Sequence, residues 1–502
     1  SGRLLINYTA FDSTKAGTYP IIVSYDKGGK TYETTYNVNV YSFESLTLGT
    51  DKIVKEAQNS SAGNGVYANH ALRQFYFTGE TLSQDGLSVI LNGKNGVNTK
   101  DFLLKDGFTV SAPDMSTAGK KTVEVSLTTN GQTKTAEFVI YVADKDNSIA
   151  TATEITLNVN KAVADAEVGV KSNGVYNFKT IQQSLDFLEN CGISANAEKV
   201  INVAAGDYWE RLEIKVPNLT IVGAGADKSK IEYDSLFGEK DASGFEHVTD
   251  STATLNVRDA AVNFTIKDIT ISNYYNSVES FEHATSNDHR ALAVLIQADK
   301  TTIDGCRILG YQDTIELFTG RQYIINTYIS GTTDFIFGTN NTTYFKGCTI
   351  HSISNGKTDG GYITAFKGCN KGDADAITYG AIFDGCSFTA DNDVLANKNT
   401  AIGRPWGKYA AVAVINSELG AHISTAAATG ASKNERYVSM SGVMPTAATV
   451  QFVEYNNTGA GAISEAVDGM KMLTDAEAKN YSKLSIVFGK TNGKVTYNDA
   501  WT

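Results

Sequence analysis

Residues 303–350 read IDGCRILGYQDTIELFTGRQYIINTYISGTTDFIFGTNNTTYFKGCTI, and this stretch decides the fold. Ile303-Asp304-Gly305-Cys306-Arg307-Ile308 is echoed by Ile324-Ile325-Asn326-Thr327-Tyr328-Ile329 and again by Phe345-Lys346-Gly347-Cys348-Thr349-Ile350, each copy 21 residues after the last. A period of that length with strand-like apolar positions marks a β-solenoid, in which each coil stacks on its neighbours. Asp313 stands ten residues into the first coil and Asp334 ten residues into the second. Equal phase in adjacent coils puts them roughly 4.8 Å apart along the stack. Two carboxylates that close do not both ionise freely, so one pKa is expected to rise. An Asp in a solenoid coil is ordinarily a turn residue. These two are flanked by Tyr311, Gln312, Phe335, Ile336 and Phe337, which is not a Gly/Asn/Pro turn cluster.

Further copies of the six-residue frame begin at Ile266, Phe383 and Val414, and intervals of 31 to 38 residues near the central pair imply loop insertions. Insertions on one face of a solenoid commonly build its binding cleft. Gly305-Cys306, Gly347-Cys348 and Gly385-Cys386 share the frame, so these cysteines are expected to stack inside as small hydrophobes. All five cysteines lack CxxC spacing, and the six histidines show no HExxH or H-x-H grouping. No metal and no cofactor is expected.

Upstream, a short amphipathic helix is predicted over 178–188, with Ile181, Leu185 and Leu188 on one face. One helix before a run of strands suits a solenoid whose end must be covered. Residues 1–41 alternate as a β-hairpin, and the pattern returns 102 residues later, Asp12, Gly17, Val23 and Val38 matching Asp114, Gly119, Val125 and Ile140. A repeat of about 100 residues built of short strands points to a sandwich module. We therefore expect 1–41 to be the C-terminal part of one module, 42–142 a complete one, 143–151 a linker, and 153–502 the solenoid. The hairpin resembles bacterial immunoglobulin-like domains, which implies a spacer or weak glycan-binding role. The chain opens mid-pattern, so a removed upstream segment is expected.

The 43 basic and 55 acidic residues leave a formal charge of -12, which argues against nucleic acid or an anionic membrane as partner. No apolar run of membrane-spanning length occurs. There is no G-x-S-x-G elbow, and the Gly pairs lie between strands, not before helices. What remains is an acid pair with amide, guanidinium and aromatic residues: Gln312, Arg404 and Trp406. Such a set suits ester cleavage. A carboxylate attacks the carbonyl carbon, an amide stabilises the oxyanion, and the partner acid protonates the leaving alcohol.

The run from Gly206 to Gly461 resembles the pectin methylesterases, carbohydrate esterases that fold as right-handed parallel β-helices. The matching motifs, in family order, are Gly206-Asp207-Tyr208-Trp209-Glu210, Tyr311-Gln312-Asp313-Thr314, Gly331-Thr332-Thr333-Asp334-Phe335-Ile336-Phe337-Gly338, Tyr362-Ile363-Thr364-Ala365, Gly403-Arg404-Pro405-Trp406 and Glu454-Tyr455-Asn456-Asn457-Thr458-Gly459. The resemblance implies an all-β chain that hydrolyses methyl esters of homogalacturonan. Asp334 becomes the nucleophile, Asp313 the general acid and then base, Gln312 an oxyanion donor, and Arg404 the group that holds Asp334 ionised. Trp406, Arg290, Phe335 and Tyr409 form the implied substrate-binding set, although only one face of the 335–337 strand can line a cleft. Tyr208 and Glu210 read as structural.

The sequence departs from the family at Arg290, where a glutamine is usual, at Phe366, and at Ala411. Arg290 would lower the pKa values of the acid pair or bind a substrate carboxylate. The competing expectations are a pectin-binding protein of weak turnover and an esterase for a different acyl ester. A monomer, secreted or on the surface of a bacterium, completes the set of expectations.

Overall fold

The computed structural model describes residues 3–501 except 50, 56–66, 105, 240–245, 275–288, 340, 355–360, 369–378, 428–434, 447–450, 490, 493–494 and 497–499. From residue 154 onward the chain winds through three stacked parallel sheets. In the central coils, each turn contributes one strand to each face, as in Thr301–Asp304, Arg307–Leu309 and Ile315–Leu317. The sequence frame is the register of the first face: Ile266 pairs with Ile303, Ile303 with Ile324, Ile324 with Phe345, Phe345 with Phe383, and Phe383 with Val414.

The third frame position explains why the repeat is visible. Asp268, Gly305, Asn326, Gly347, Gly385 and Asn416 all occupy it, with φ of 51°, 64°, 51°, 60°, 62° and 50°. This is the left-handed corner between the first and second faces, which only Gly, Asn and Asp enter cheaply. Side-chain amides climb the same corner, Asn456 donating to Asn416 at 3.0 Å and Asn416 to Asp384 at 3.0 Å. Cys306, Cys348 and Cys386 follow it into the interior as unbridged thiols, buried as the frame predicts; Cys369 lies outside the described residues.

The helix runs Ile181–Asn190, with Ile181, Leu185 and Leu188 in the core. Thr180 caps it by accepting from the Gln183 N–H. The Glu210 carboxylate accepts from the N–H of Ile181 at 3.0 Å and of Gln182 at 2.8 Å, satisfying two more orphan donors at the positive end of the dipole. Burial pushes that carboxyl up to about 7. Tyr208 is buried with its hydroxyl donating to the Ala204 carbonyl at 3.0 Å.

Ahead of the solenoid, two sheets pack face to face. Ser42–Gly49, Ser88–Asn95 and Asn98–Leu104 form one; Thr109–Val110, Gly119–Thr129, Gln132–Ala143 and Phe75–Phe77 form the other. Leu46, Val89 and Leu91 meet Val125 and Leu127 between them. Arg3–Asn7, Gly17–Lys27 and Lys30–Val40 make a separate antiparallel sheet, on which Leu4, Ile6 and Tyr36 are exposed.

The stretch read as a linker is packed. Asn147–Thr151 forms a 3-10 turn with Ile149 in the solenoid core. Phe75 also enters that core, 5.4 Å from Phe178 and 5.6 Å from Phe187 between ring centroids. Asp186, on the helix, accepts from the N–H of Gln74 at 2.7 Å and of Phe75 at 3.2 Å. The 42–142 unit is thus docked on the first coil and its helix.

Candidate active site

The corner between the second and third faces carries the acid pair. Gln312 and Asp313 lie between Arg307–Leu309 and Ile315–Leu317, and Asp334 lies one coil on in Thr333–Gly338. Ile315 pairs with Ile336, so the two aspartates hold equivalent places in consecutive coils. Both are left-handed, Asp313 at φ 60° and Asp334 at φ 50°. A non-glycine residue held there costs of order 1–3 kcal/mol, and such strain clusters at functional sites. The surrounding backbone holds it, with the Asp313 N–H donating to the Thr333 carbonyl at 3.0 Å and the Thr332 N–H to that of Tyr311 at 2.8 Å. Gly331 is required by packing, because a Cβ there would stand 2.1 Å from the Phe335 Cβ.

Arg404 reaches Asp334 from two coils along the third face. Its Nε donates to Oδ1 at 2.7 Å and its Nη2 to Oδ2 at 2.5 Å, a fork on a carboxylate that is 7% exposed. The guanidinium also lies 4.0 Å above the Tyr362 ring. Burial raises the Asp334 pKa above the ordinary value, and the Arg404 fork opposes the rise. Burial is thus the main cause of the rise at Asp334.

A cleft of about 590 Å³ opens here, and Gln312, Asp313, Asp334, Arg404, Trp406 and Arg290 all line it. Gln312 accepts from the His289 N–H through its side-chain oxygen at 3.4 Å, which leaves the amide NH2 as its donor. Trp406 packs against Phe337 at 6.2 Å, with the Lys367 ammonium 5.3 Å from its ring. Arg290 is turned to the cleft wall. It donates to Thr249 Oγ1 at 2.9 Å and lies 3.6 Å over the Phe237 ring.

Two residues from the expected substrate-binding set fall elsewhere. Phe335 is fully buried in the solenoid core, and Phe337 faces the cleft instead. The left-handed Asp334 and a register shift between Thr333 and Ile336 break the strand's alternation, turning Phe335 inward beside Ile336. Tyr409 is not among the residues lining the cleft. Phe366 is core, and Ala411 sits buried in Ala411–Ile415.

The third face supplies a floor that runs along the stack. Leu295 pairs with Glu316, Glu316 with Phe337, Phe337 with Ala365, and Ala365 with Arg404. Glu316 and Asp250, a loop residue in Thr249–Thr252, form a second carboxyl pair lining the same cleft. Burial pushes Asp250 up to about 6. Burial, then the charges of Asp250 and Asp313, hold Glu316 well above its usual range. Both carboxyls of this pair are thus raised, with burial as the main cause. The sequence carried one signal for it: a charged residue in an otherwise apolar strand three positions after Asp313. Among the described residues, no cluster of three His, Cys, Asp or Glu side chains could hold a metal.

A strained, guanidinium-clamped carboxylate thus stands in a cleft along a parallel solenoid. Comparison with known proteins gives the family. A family profile described as Pectinesterase matches residues 167–490, and the chain belongs to that family. Probable pectinesterase A of Neosartorya fischeri is 33% identical over 316 residues, covering 62% of this chain and 85% of the relative. Pectinesterase/pectinesterase inhibitor 18 of Arabidopsis thaliana is 29% identical, and the match spans 70% of this chain but 58% of that protein. Pectin methylesterase PemA from Erwinia chrysanthemi superposes with a TM-score of 0.53 at 23% identity, covering 68% of this chain and 98% of its own. A pectin methylesterase solved in complex with a hexasaccharide gives a TM-score of 0.53 at 24% identity, with 68% and 100% covered.

Proposed function

We propose that this chain hydrolyses methyl esters of galacturonate residues in pectin and releases methanol. The observation that carries the reading is the Arg404 fork on buried Asp334, one coil from Asp313 and within a cleft that Gln312 also lines. Asp334, kept ionised by Arg404, attacks the ester carbonyl carbon. The Gln312 NH2 donates to the developing oxyanion. As the C–OCH3 bond breaks, Asp313 gives its proton to the departing methoxyl oxygen and methanol leaves. Asp313 then takes a proton from water, the hydroxide attacks the acyl carbon, and Asp334 is released with a free galacturonate.

The cleft's other groups bear on substrate choice. A methyl ester is neutral, and the carboxyl-rich cleft favours it over a free galacturonate. Arg290, which also lines the cleft, adds a cation that suits a de-esterified neighbour. A polymeric substrate of this kind goes with a secreted or cell-surface bacterial protein, its 42–142 unit an immunoglobulin-like spacer.

The test is Asp313→Asn beside Asp334→Ala on highly methylated pectin, with retention by immobilised pectin measured in parallel. Loss of methanol release with retained binding supports the assignment. Unchanged release by either variant would refute it.

A further inference from the structure

Trp209 belongs to a motif whose neighbours Tyr208 and Glu210 are structural, yet it is 55% exposed. Its ring does not stand alone. Tyr233 lies 5.8 Å away and Tyr274 6.2 Å away between centroids, tilted 40° and 34° from it. Tyr274 is 52% exposed. The three rings come from the ends of second-face strands in three successive coils, Gly206–Trp209, Ser229–Tyr233 and Thr270–Asn273, whose register is continuous. Burying an aromatic ring is worth far more than leaving it in water, so exposed Trp209 and Tyr274 flanking half-buried Tyr233 mark a contact surface.

Its place on the solenoid says what for. Each ring stands at the passage from the second face to the third, the same corner that carries Asp313 and Asp334 in later coils. The cleft runs along the stack, because the floor row from Leu295 to Arg404 advances one coil per residue. Going the other way, third-face strands order Ile315–Leu317, Val294–Ile296, Leu255–Val257 and Leu212–Ile214. Trp209 therefore lies three coils from Asp313, about 14 Å at strand spacing.

We propose that Trp209, Tyr233 and Tyr274 form a stacking platform for pyranose rings of the same polysaccharide chain, upstream of the ester being cleaved; this rests on the pectin reading above. Pyranose rings present C–H faces that pack on the electron-rich faces of aromatic rings. Among the described residues, charged groups near the platform include Asp207, Glu232, Lys230 and Lys161, and Lys230 is already paired with Asp207 at 3.1 Å. The platform thus holds the polysaccharide along the cleft axis.

The test compares Trp209→Ala with the parent chain on highly methylated pectin and on methyl-esterified digalacturonate. Two rings are too short to reach from Asp313 to Trp209. The expected result is a KM for the polymer raised about tenfold by Trp209→Ala, with kcat and digalacturonate turnover unchanged. An unchanged polymer KM, or equal losses on both substrates, overturns the platform while the esterase reading stands. If the parent chain releases no methanol from any substrate, both fall together.

Discussion

Replacing Arg404 with Met keeps the bulk of the side chain near Tyr362 and removes both donors to Asp334. The carboxylate is 7% exposed and takes hydrogen bonds of 2.7 and 2.5 Å from that one guanidinium. Removing one partner of a buried ion pair costs about 3–5 kcal/mol, because the other charge is left uncompensated. Asp334 already titrates above an ordinary carboxylate through burial, with Arg404 as the opposing influence. Without it the protonated, non-nucleophilic form gains by up to the same amount, which is about 10²- to 10⁴-fold in the ionised fraction at a given pH. With Asp334 as the proposed nucleophile, its ionised form is present only above its pKa, so activity is expected to fall as pH drops through it. In Arg404→Met the acid limb of kcat/KM should move to higher pH, with partial recovery in alkaline buffer. The assay is methanol release across pH for parent and variant, with thermal melts to show that both are folded. An acid limb that stays in place in a folded variant would refute the clamp.

Phe335→Ala should destabilise the fold by about 3–5 kcal/mol while leaving KM unchanged for the folded fraction; a raised KM at unchanged melting temperature would place Phe335 in the cleft after all. Asp186, 5% exposed under the docked sandwich, is pushed up to about 6. A raised carboxyl contributes stability below its unfolded pKa and loses it as pH rises through the folded value, so melts should weaken between about pH 4 and 7 by about 3 kcal/mol. Asp186→Asn should flatten that slope, and an identical slope in the variant would contradict the assignment. The Asp250 and Glu316 pair should give the pH–rate profile an inflection near the Asp250 value of about 6, absent from Asp250→Asn/Glu316→Gln. An inflection that survives in the double variant would assign it elsewhere.

The repeat was legible because its two demands fall on adjacent positions: an interior apolar residue such as Ile303 or Phe345, and a left-handed corner that admits only Gly305, Asn326 or Gly347 and their like. Equal phase then set Asp313 beside Asp334 without any knowledge of the loops. Phe335 was not legible, because alternation along a strand presumes extended backbone and Asp334 is left-handed. Asp250 comes from a loop between Tyr233 and Leu255 that carries no period to read. The docking of the sandwich was equally hidden, since Asp186 meets Gln74 across 112 residues of chain. A polar stretch such as 143–151 looks like a linker whenever its one anchoring residue, here Ile149, is read alone.

We propose Asp334 as the nucleophile of a pectin methylesterase. The measurement that tests it most directly is methanol release from highly methylated pectin by the intact chain beside Asp334→Ala. Sustained release is expected from the parent, and none above background from a variant that still binds pectin. Release by the variant at the parent's rate, or none from the parent while it retains pectin, would contradict it.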